Sequence, residues 1–179
     1  VKKNIYTFHE DPFLLSTFLL KPSYISSVSA LSYHNLITQI PSEVFCTTIR
    51  NTAQISFKNK LINFSHTNYF FGFKREIYEN FHIPIAYPEK AIIDSLGLIP
   101  ISVFEEAFEE IDEQRMIAYL KRIKKSSIVK RIGFLMEKNG FDVYEKLKDF
   151  INYKYIPLDP LMPKRGLKNK KWRIIINTK

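Results

Sequence analysis

Two hydrophobic periods divide the chain: helical stretches flank an alternating middle, and a further alternating strand closes the C-terminus. Asp11-Pro12 opens a helix, with Asp as N-cap and proline in the first turn, where its missing amide costs nothing. Phe13, Leu14, Thr17, Phe18 and Leu20 give this helix a thick apolar side, and Pro22 ends it. Ser26 or Ser27 caps a second helix reaching about Asn35, whose Val28, Ala30, Leu31 and Tyr33 lie on more than one side and predict deep packing. His34, near its end, is read as a helix C-terminal cation or a packed imidazole rather than a ligand. Period-two alternation follows. Residues 43–50 form a strand with Val44, Cys46 and Thr48 on one face and Phe45, Thr47 and Ile49 on the other. Residues 54–57 and 60–66 pair as a hairpin around Lys58-Asn59, and 69–73 and 83–87 complete the strands, with Gly72 at a bulge or a close backbone approach.

Pro88-Glu89 starts the next helix, with an acid at the positive end of its dipole and a buried stripe of Ala91, Ile92, Ser95, Leu96 and Ile99. Asp94 lies off this stripe and is assigned a surface or packing role. Ser102 and Glu105 make a capping box ahead of the stripe Phe104, Ala107, Phe108 and Ile111, leaving Glu105, Glu106, Glu109 and Glu110 on an acidic face. Asp112 begins a helix carrying Met116, Ile117, Leu120 and Ile123, and Ser126-Ser127 caps one carrying Ile128, Ile132, Leu135 and Met136, which Gly140 stops. Asp142 caps a last helix with Val143, Leu147, Phe150 and Ile151 inward, so that residues 100–153 form a helical layer on the sheet.

Residues 158–177 combine two kinds of chain. Pro157, Pro160 and Pro163 remove amide donors and Gly166 frees the backbone, so regular structure is excluded there. Trp172, Ile174 and Ile176 then fall on one face of a strand, with Arg173, Ile175 and Asn177 on the other. A buried strand thus anchors a proline-fixed basic loop. The fold class predicted is α/β of the α+β kind: a small mixed or antiparallel sheet packed against several helices, with the C-terminal strand in the sheet.

Charge sharpens this picture. Lysine and arginine total 27 against 18 acids, a net charge of +9, which favours polyanionic partners. The excess is uneven. Lys121, Arg122, Lys124, Lys125, Lys130 and Arg131 cluster at a helix junction, and Lys164, Arg165, Lys168, Lys170, Lys171 and Arg173 cluster on the C-terminal loop. Such side chains hold phosphates and position a protein on DNA without reading bases. No apolar run approaches the length of a membrane span, and the single cysteine, Cys46, excludes an internal disulfide and suits the cytoplasm. The five glycines stand apart, so no phosphate-cradling loop exists, and His9, His34, His66 and His82 are scattered without zinc spacing. Glu89 and Lys90 are adjacent on a helix that also carries Asp94, the wrong spacing for a nuclease metal site. No cofactor, no metal and no catalytic residue are expected, and the chain is read as a binding protein rather than an enzyme.

Four segments carry a resemblance: residues 26–36 (SSVSALSYHNL), 87–94 (YPEKAIID), 131–136 (RIGFLM) and 158–177 (LDPLMPKRGLKNKKWRIIIN). In this order and spacing they resemble the AbiEi family, the antitoxin-regulators of type IV (abortive-infection) toxin–antitoxin systems. The resemblance spans the chain from about Asp11 onward. It implies a C-terminal antitoxin domain at residues 11–179, with residues 1–10, read as a short strand at 1–8, ending a winged-helix domain or its linker that precedes Val1. It also implies a transcriptional regulator that counters a nucleotidyltransferase-type toxin in phage defence, contacts DNA through basic surface, and represses its own promoter with the help of that N-terminal domain. Its motif residues here are Leu158, Asp159, Pro160, Pro163, Lys164, Gly166, Asn169, Trp172, Arg173 and Asn177; Asp159, Pro160, Pro163, Gly166, Trp172 and Asn177 are expected to be structural. Two other readings stay open: a non-enzymatic assembly module using the acidic face and basic loop, and a nuclease-like relic around Glu89 and Asp94.

Overall fold

Residues 9–178 are described by a computed structural model, and the strand read at 1–8 lies outside them. Asp11 caps α1 (Pro12–Leu19), its carboxylate accepting the Phe13 N–H at 2.9 Å. β1 (Ser23–Ile25) leads into α2 (Ser27–Tyr33), which is buried on several sides. Ser26 occupies the N-cap position without capping, because its hydroxyl donates to Asp94 instead at 3.0 Å. His34 stands at the C-cap, its Nε2 2.8 Å from the Ala86 carbonyl oxygen.

Strands β2 (Val44–Thr48), β3 (Ala53–Phe57), β4 (Lys60–His66), β5 (Phe73–Tyr78) and β6 (Phe81–Ala86) join β1 in a six-stranded mixed sheet of order β3-β4-β2-β1-β6-β5. The β3–β4 hairpin turns at Lys58, which takes φ +44°. β2 runs parallel to β4 and antiparallel to β1, and β1 runs parallel to β6. The central strands are apolar where they face α1 and α2: Ile25, Cys46, Ile62, Phe64, Ile83 and Ile85 are buried. Burial pushes the Cys46 thiol up to about 12, against a smaller opposing hydrogen bond with Ser16. The strand expected at 69–73 is instead an irregular connection, and β5 begins where that expectation ended. Its rings serve packing: Phe70 lies against Tyr24 and Phe71 against Tyr119.

The helical layer comprises α3 (Pro88–Ser95), 3-10 turns at Ile101–Val103 and Glu105–Glu110, α4 (Glu113–Ile123), α5 (Ser126–Lys138), α6 (Tyr144–Leu147) and a final 3-10 turn at Lys148–Phe150. Asp112 caps α4 through the Arg115 N–H at 3.0 Å. The capping box at Ser102 and Glu105 does not form. The Asp159 carboxylate takes the Ile101 N–H at 3.0 Å, Glu105 pairs with Lys138 at 2.5 Å, and the segment winds as 3-10 turns. Ser126 and Ser127 likewise do not cap α5; Ser126 Oγ accepts the Asn152 N–H at 3.0 Å.

β7 (Ile156–Pro157), β8 (Leu167–Asn169) and β9 (Ile174–Ile176) form a second, three-stranded sheet of order β7-β9-β8, which packs on α5. The α+β class is therefore as expected, but the C-terminal strand pairs in this small sheet and not in the six-stranded one. Trp172 and Ile174 seat it fully in the core.

Candidate nucleic-acid interface

The C-terminal loop is held at both ends by side chains of its own segment. Asp159 is 2% exposed; one carboxylate oxygen accepts the Ile101 N–H and the other the Leu161 N–H at 2.8 Å. Asn177 closes the loop from the far side. Its Oδ1 accepts the Asp159 N–H at 2.9 Å, and its Nδ2 donates to the carbonyls of Asp159, Met162 and Pro163 at 2.8, 3.2 and 3.1 Å. A Cβ at Gly166 would stand 1.8 Å from the Ile176 carbonyl oxygen, so only glycine lets the returning backbone pass. Asn169 Oδ1 accepts the Trp172 N–H at 2.9 Å and orders the tight turn before β9. The Trp172 ring is fully buried, edge-on to Tyr144 at 5.3 Å, and its Nε1–H donates to Glu137 at 2.7 Å. Pro160 and Pro163 remain exposed, and Pro160 packs over Gly97.

This anchoring presents Lys164, Arg165, Lys168 and Lys170 to solvent. Lys168 lies over the Tyr155 ring at 5.4 Å. Lys171 is exposed but engaged, paired with Glu137 at 2.6 Å and above the Tyr144 ring. Arg173 is half-buried, stacked over Tyr155 and donating to its hydroxyl at 3.3 Å.

The helix-junction cluster is split. Lys121, Lys124 and Lys125 are exposed, and Arg122 is exposed while stacked on Phe71 at 4.0 Å. Lys124 takes φ +54° as the left-handed C-cap of α4, which turns the chain into α5. Lys130 and Arg131 do not belong to this surface. Lys130 is 1% exposed, and its ammonium donates to Asn152 Oδ1 and the Lys154 carbonyl at 2.6 Å each. Burial first, then the charges of Arg173 and Arg131, lower its pKa. Arg131 reaches under the loop, donating to the Pro157 and Leu158 carbonyls at 3.0 Å each and to Ser127 O at 3.3 Å. Burial lowers its pKa too, and the Asp159 carboxylate partly offsets this. Both are tethers that fix the C-terminal segment to α5, their donors turned to the protein's own carbonyl and amide oxygens.

One turn lies between the two remaining cation groups. Residues 96–101 meet the loop through Pro160 and Asp159, and their Leu98 borders a polar pocket of about 250 Å³ together with Lys125, Ile128 and Asp94. The α4–α5 junction and the loop thus flank the same short segment.

Of the charges of α3, Asp94, read from the sequence as a surface or packing residue, packs. Lys90 is fully buried and bonds Asp94 and the Tyr24 hydroxyl, the latter at 2.7 Å. Asp94 also accepts from Tyr24, Ser26 and Thr47 at 2.8, 3.0 and 3.4 Å. Burial first and the Asp94 charge second push the Tyr24 phenol well above its ordinary range. Glu89, 1% exposed, does not cap its own helix. It accepts the Asp112 N–H at 2.8 Å and pairs with Arg115 at 3.3 Å, tying α3 to α4. No buried side-chain polar atom lacks a partner, and no group of three or more metal-ligating side chains forms, among the described residues. The Lys90–Asp94 network was foreshadowed by their i, i+4 spacing beside apolar neighbours, but its third member, Tyr24, comes from a distant strand.

No helix among the described residues is long and apolar enough to cross a membrane. No family model and no curated protein matches the chain. Among solved structures it is similar to the RV2827C protein from Mycobacterium tuberculosis, with a TM-score of 0.63 and 10% identical residues over 93% of this chain and 68% of the other. At that identity the likeness is one of fold.

Proposed function

We propose that this chain is an AbiEi-like antitoxin domain. It counters a nucleotidyltransferase-type toxin in the cytoplasm and contacts DNA through exposed lysines and arginines, working by binding and not by turnover. The observation that carries this reading is the construction of residues 158–177. Trp172, Asp159, Gly166 and Asn177 make an ordered scaffold, and what that scaffold displays is Lys164, Arg165, Lys168 and Lys170. A sequence that served only to close the fold has no need to hold four cations outward on a loop fixed at both ends. Co-expression with a nucleotidyltransferase-type toxin of the proposed class tests it: restored growth supports the antitoxin reading, and persistent toxicity rejects it.

One observation favours an assembly module as the second reading. The same loop exposes Leu161, Met162 and Leu167, at 48%, 44% and 80%. Apolar side chains at such exposure suit a protein partner. A stable dimer in light scattering, abolished on replacing Leu161 and Leu167 by serine and without salt-dependent DNA binding, would favour that reading.

A further inference from the structure

A groove remote from both basic clusters in sequence has the chemistry of a nucleic-acid site. It runs between the end of α1 and the β5–β6 edge of the large sheet, holds about 570 Å³, and is lined by Phe18, Lys21, Phe70, Phe73, Arg75 and His82 among others. Its volume lies within the range of about 300–1,000 Å³ usual for ligand sites. The antiparallel register sets Phe73, Arg75 and Ile77 on the same sheet face as His82 and Pro84. β5 is an edge strand, and Lys21, Arg75 and His82 are exposed.

Charge and ring placement identify the occupant. Among the described residues no carboxylate lines the groove. A further lysine there, Lys74, is neutralised by Glu76 at 2.5 Å, while Lys21 and Arg75 make no ion pair among the described residues. Phe18 is 45% exposed, far more than a core ring, and Lys21 sits 4.8 Å above it. Phe70 and Phe73 stand edge to face at 5.0 Å, and Phe73 stacks on the buried Tyr24, which fixes it from behind. Aromatic rings interleaved with cations that meet no carboxylate are the elements that bind single strands: the rings stack unpaired bases and the cations follow the backbone. A duplex hides its base faces and has no use for the rings.

We propose that this groove binds single-stranded nucleic acid, with Phe18 as a stacking platform and Lys21 and Arg75 as phosphate contacts. The proposal stands apart from the antitoxin reading and from the C-terminal loop. It is tested by fluorescence anisotropy of the 179-residue chain with a labelled oligothymidylate of about twelve nucleotides at low salt. The expected result is saturable binding that Phe18→Ala and Arg75→Glu each weaken about five-fold or more, with Lys60→Ala, an exposed lysine on β4 away from the groove, changing it less than about two-fold. Both groove residues are exposed, so the melting temperature checks that these variants stay folded; Arg75→Glu alone suffices if Phe18→Ala melts early. Three results overturn the proposal: no saturable binding, the same loss from Lys60→Ala as from the groove variants, or a duplex of equal length displacing the single strand at equal concentration.

Discussion

Gly133 of α5 and Trp172 ahead of β9 are made for each other: a Cβ on Gly133 would stand 2.2 Å from the Trp172 ring. The indole lies in the gap that the missing side chain leaves, and Glu137 one turn later accepts its N–H. Trp172→Ala should therefore lose about 3–5 kcal/mol of stability, and Gly133→Ala about 1–3 kcal/mol through overpacking. Combining Gly133→Ala with Trp172→Phe should cost less than the two single changes together, because the smaller ring vacates the space that the methyl needs. Urea denaturation of the cycle measures this, and strict additivity would refute the coupling.

Asp159 and Asn177 should act on the loop more than on the core. Asp159→Ala strips the buried Ile101 N–H of its acceptor, a loss of about 1–3 kcal/mol. Amide hydrogen exchange should then quicken at Ile101 and Leu161 in Asp159→Ala, and in the loop at residues 159–166 in Asn177→Ala. Unchanged exchange in both variants would show that the prolines alone hold the loop.

Lys90 and Asp94 form a buried pair closed by Tyr24. Lys90→Met leaves a buried carboxylate without its counter-charge and should cost about 3–5 kcal/mol. Lys90→Met with Asp94→Leu should be milder than the sum, since both charges are then gone. If instead Asp94→Ala left stability untouched and abolished a metal-dependent cleavage of DNA, the nuclease-like reading would displace this one.

Tyr24 makes the fold sensitive to alkali. Its folded pKa is raised, so near pH 10 and above the unfolded chain releases a phenolic proton that the native chain keeps. Stability from this group is complete below about pH 10 and falls as pH rises beyond it. The melting temperature should drop as pH rises above about 10, and Tyr24→Phe, though less stable at neutral pH, should drop more gently. Parallel declines would assign the alkaline loss to other groups.

The DNA-contact reading rests on the exposed cations. Lys164→Ala/Arg165→Ala should keep the fold and lower the slope of log affinity against log salt by about 0.9 for each phosphate that these side chains neutralise. Lys130→Met should instead reduce stability, because that ammonium holds Asn152 and the Lys154 carbonyl. Isothermal titration with duplex DNA at several salt concentrations separates the two; an unchanged slope removes the loop from DNA contact.

Local chemistry was legible in the sequence where it acts locally. Asp11 and Asp112 cap the helices that they precede, the Lys58-Asn59 turn closes its hairpin, and Pro88 opens α3. What failed was decided by distant partners. Ser26 is diverted from capping by Asp94, the Ser102 box loses to Asp159, and Lys130 turns inward toward carbonyl and amide oxygens beyond residue 150. β5 was missed because an edge strand is solvated and carries Lys74, Arg75 and Glu76 in succession, which erases the alternation that marks a half-buried strand. The three-stranded sheet was half legible: β9 shows in its apolar face, whereas β7 and β8 are two and three residues long. At the basic surface, sequence supplied the clusters, and the structure separated displayed charges from tethers such as Arg131.

Growth under toxin expression tests the central claim most directly. A nucleotidyltransferase-type toxin of the proposed class is induced alone, with this chain, and with its Trp172→Ala variant, while the soluble level of each chain is followed. The chain is expected to restore growth and the destabilised variant is not. Toxicity that persists while the folded chain accumulates would contradict this.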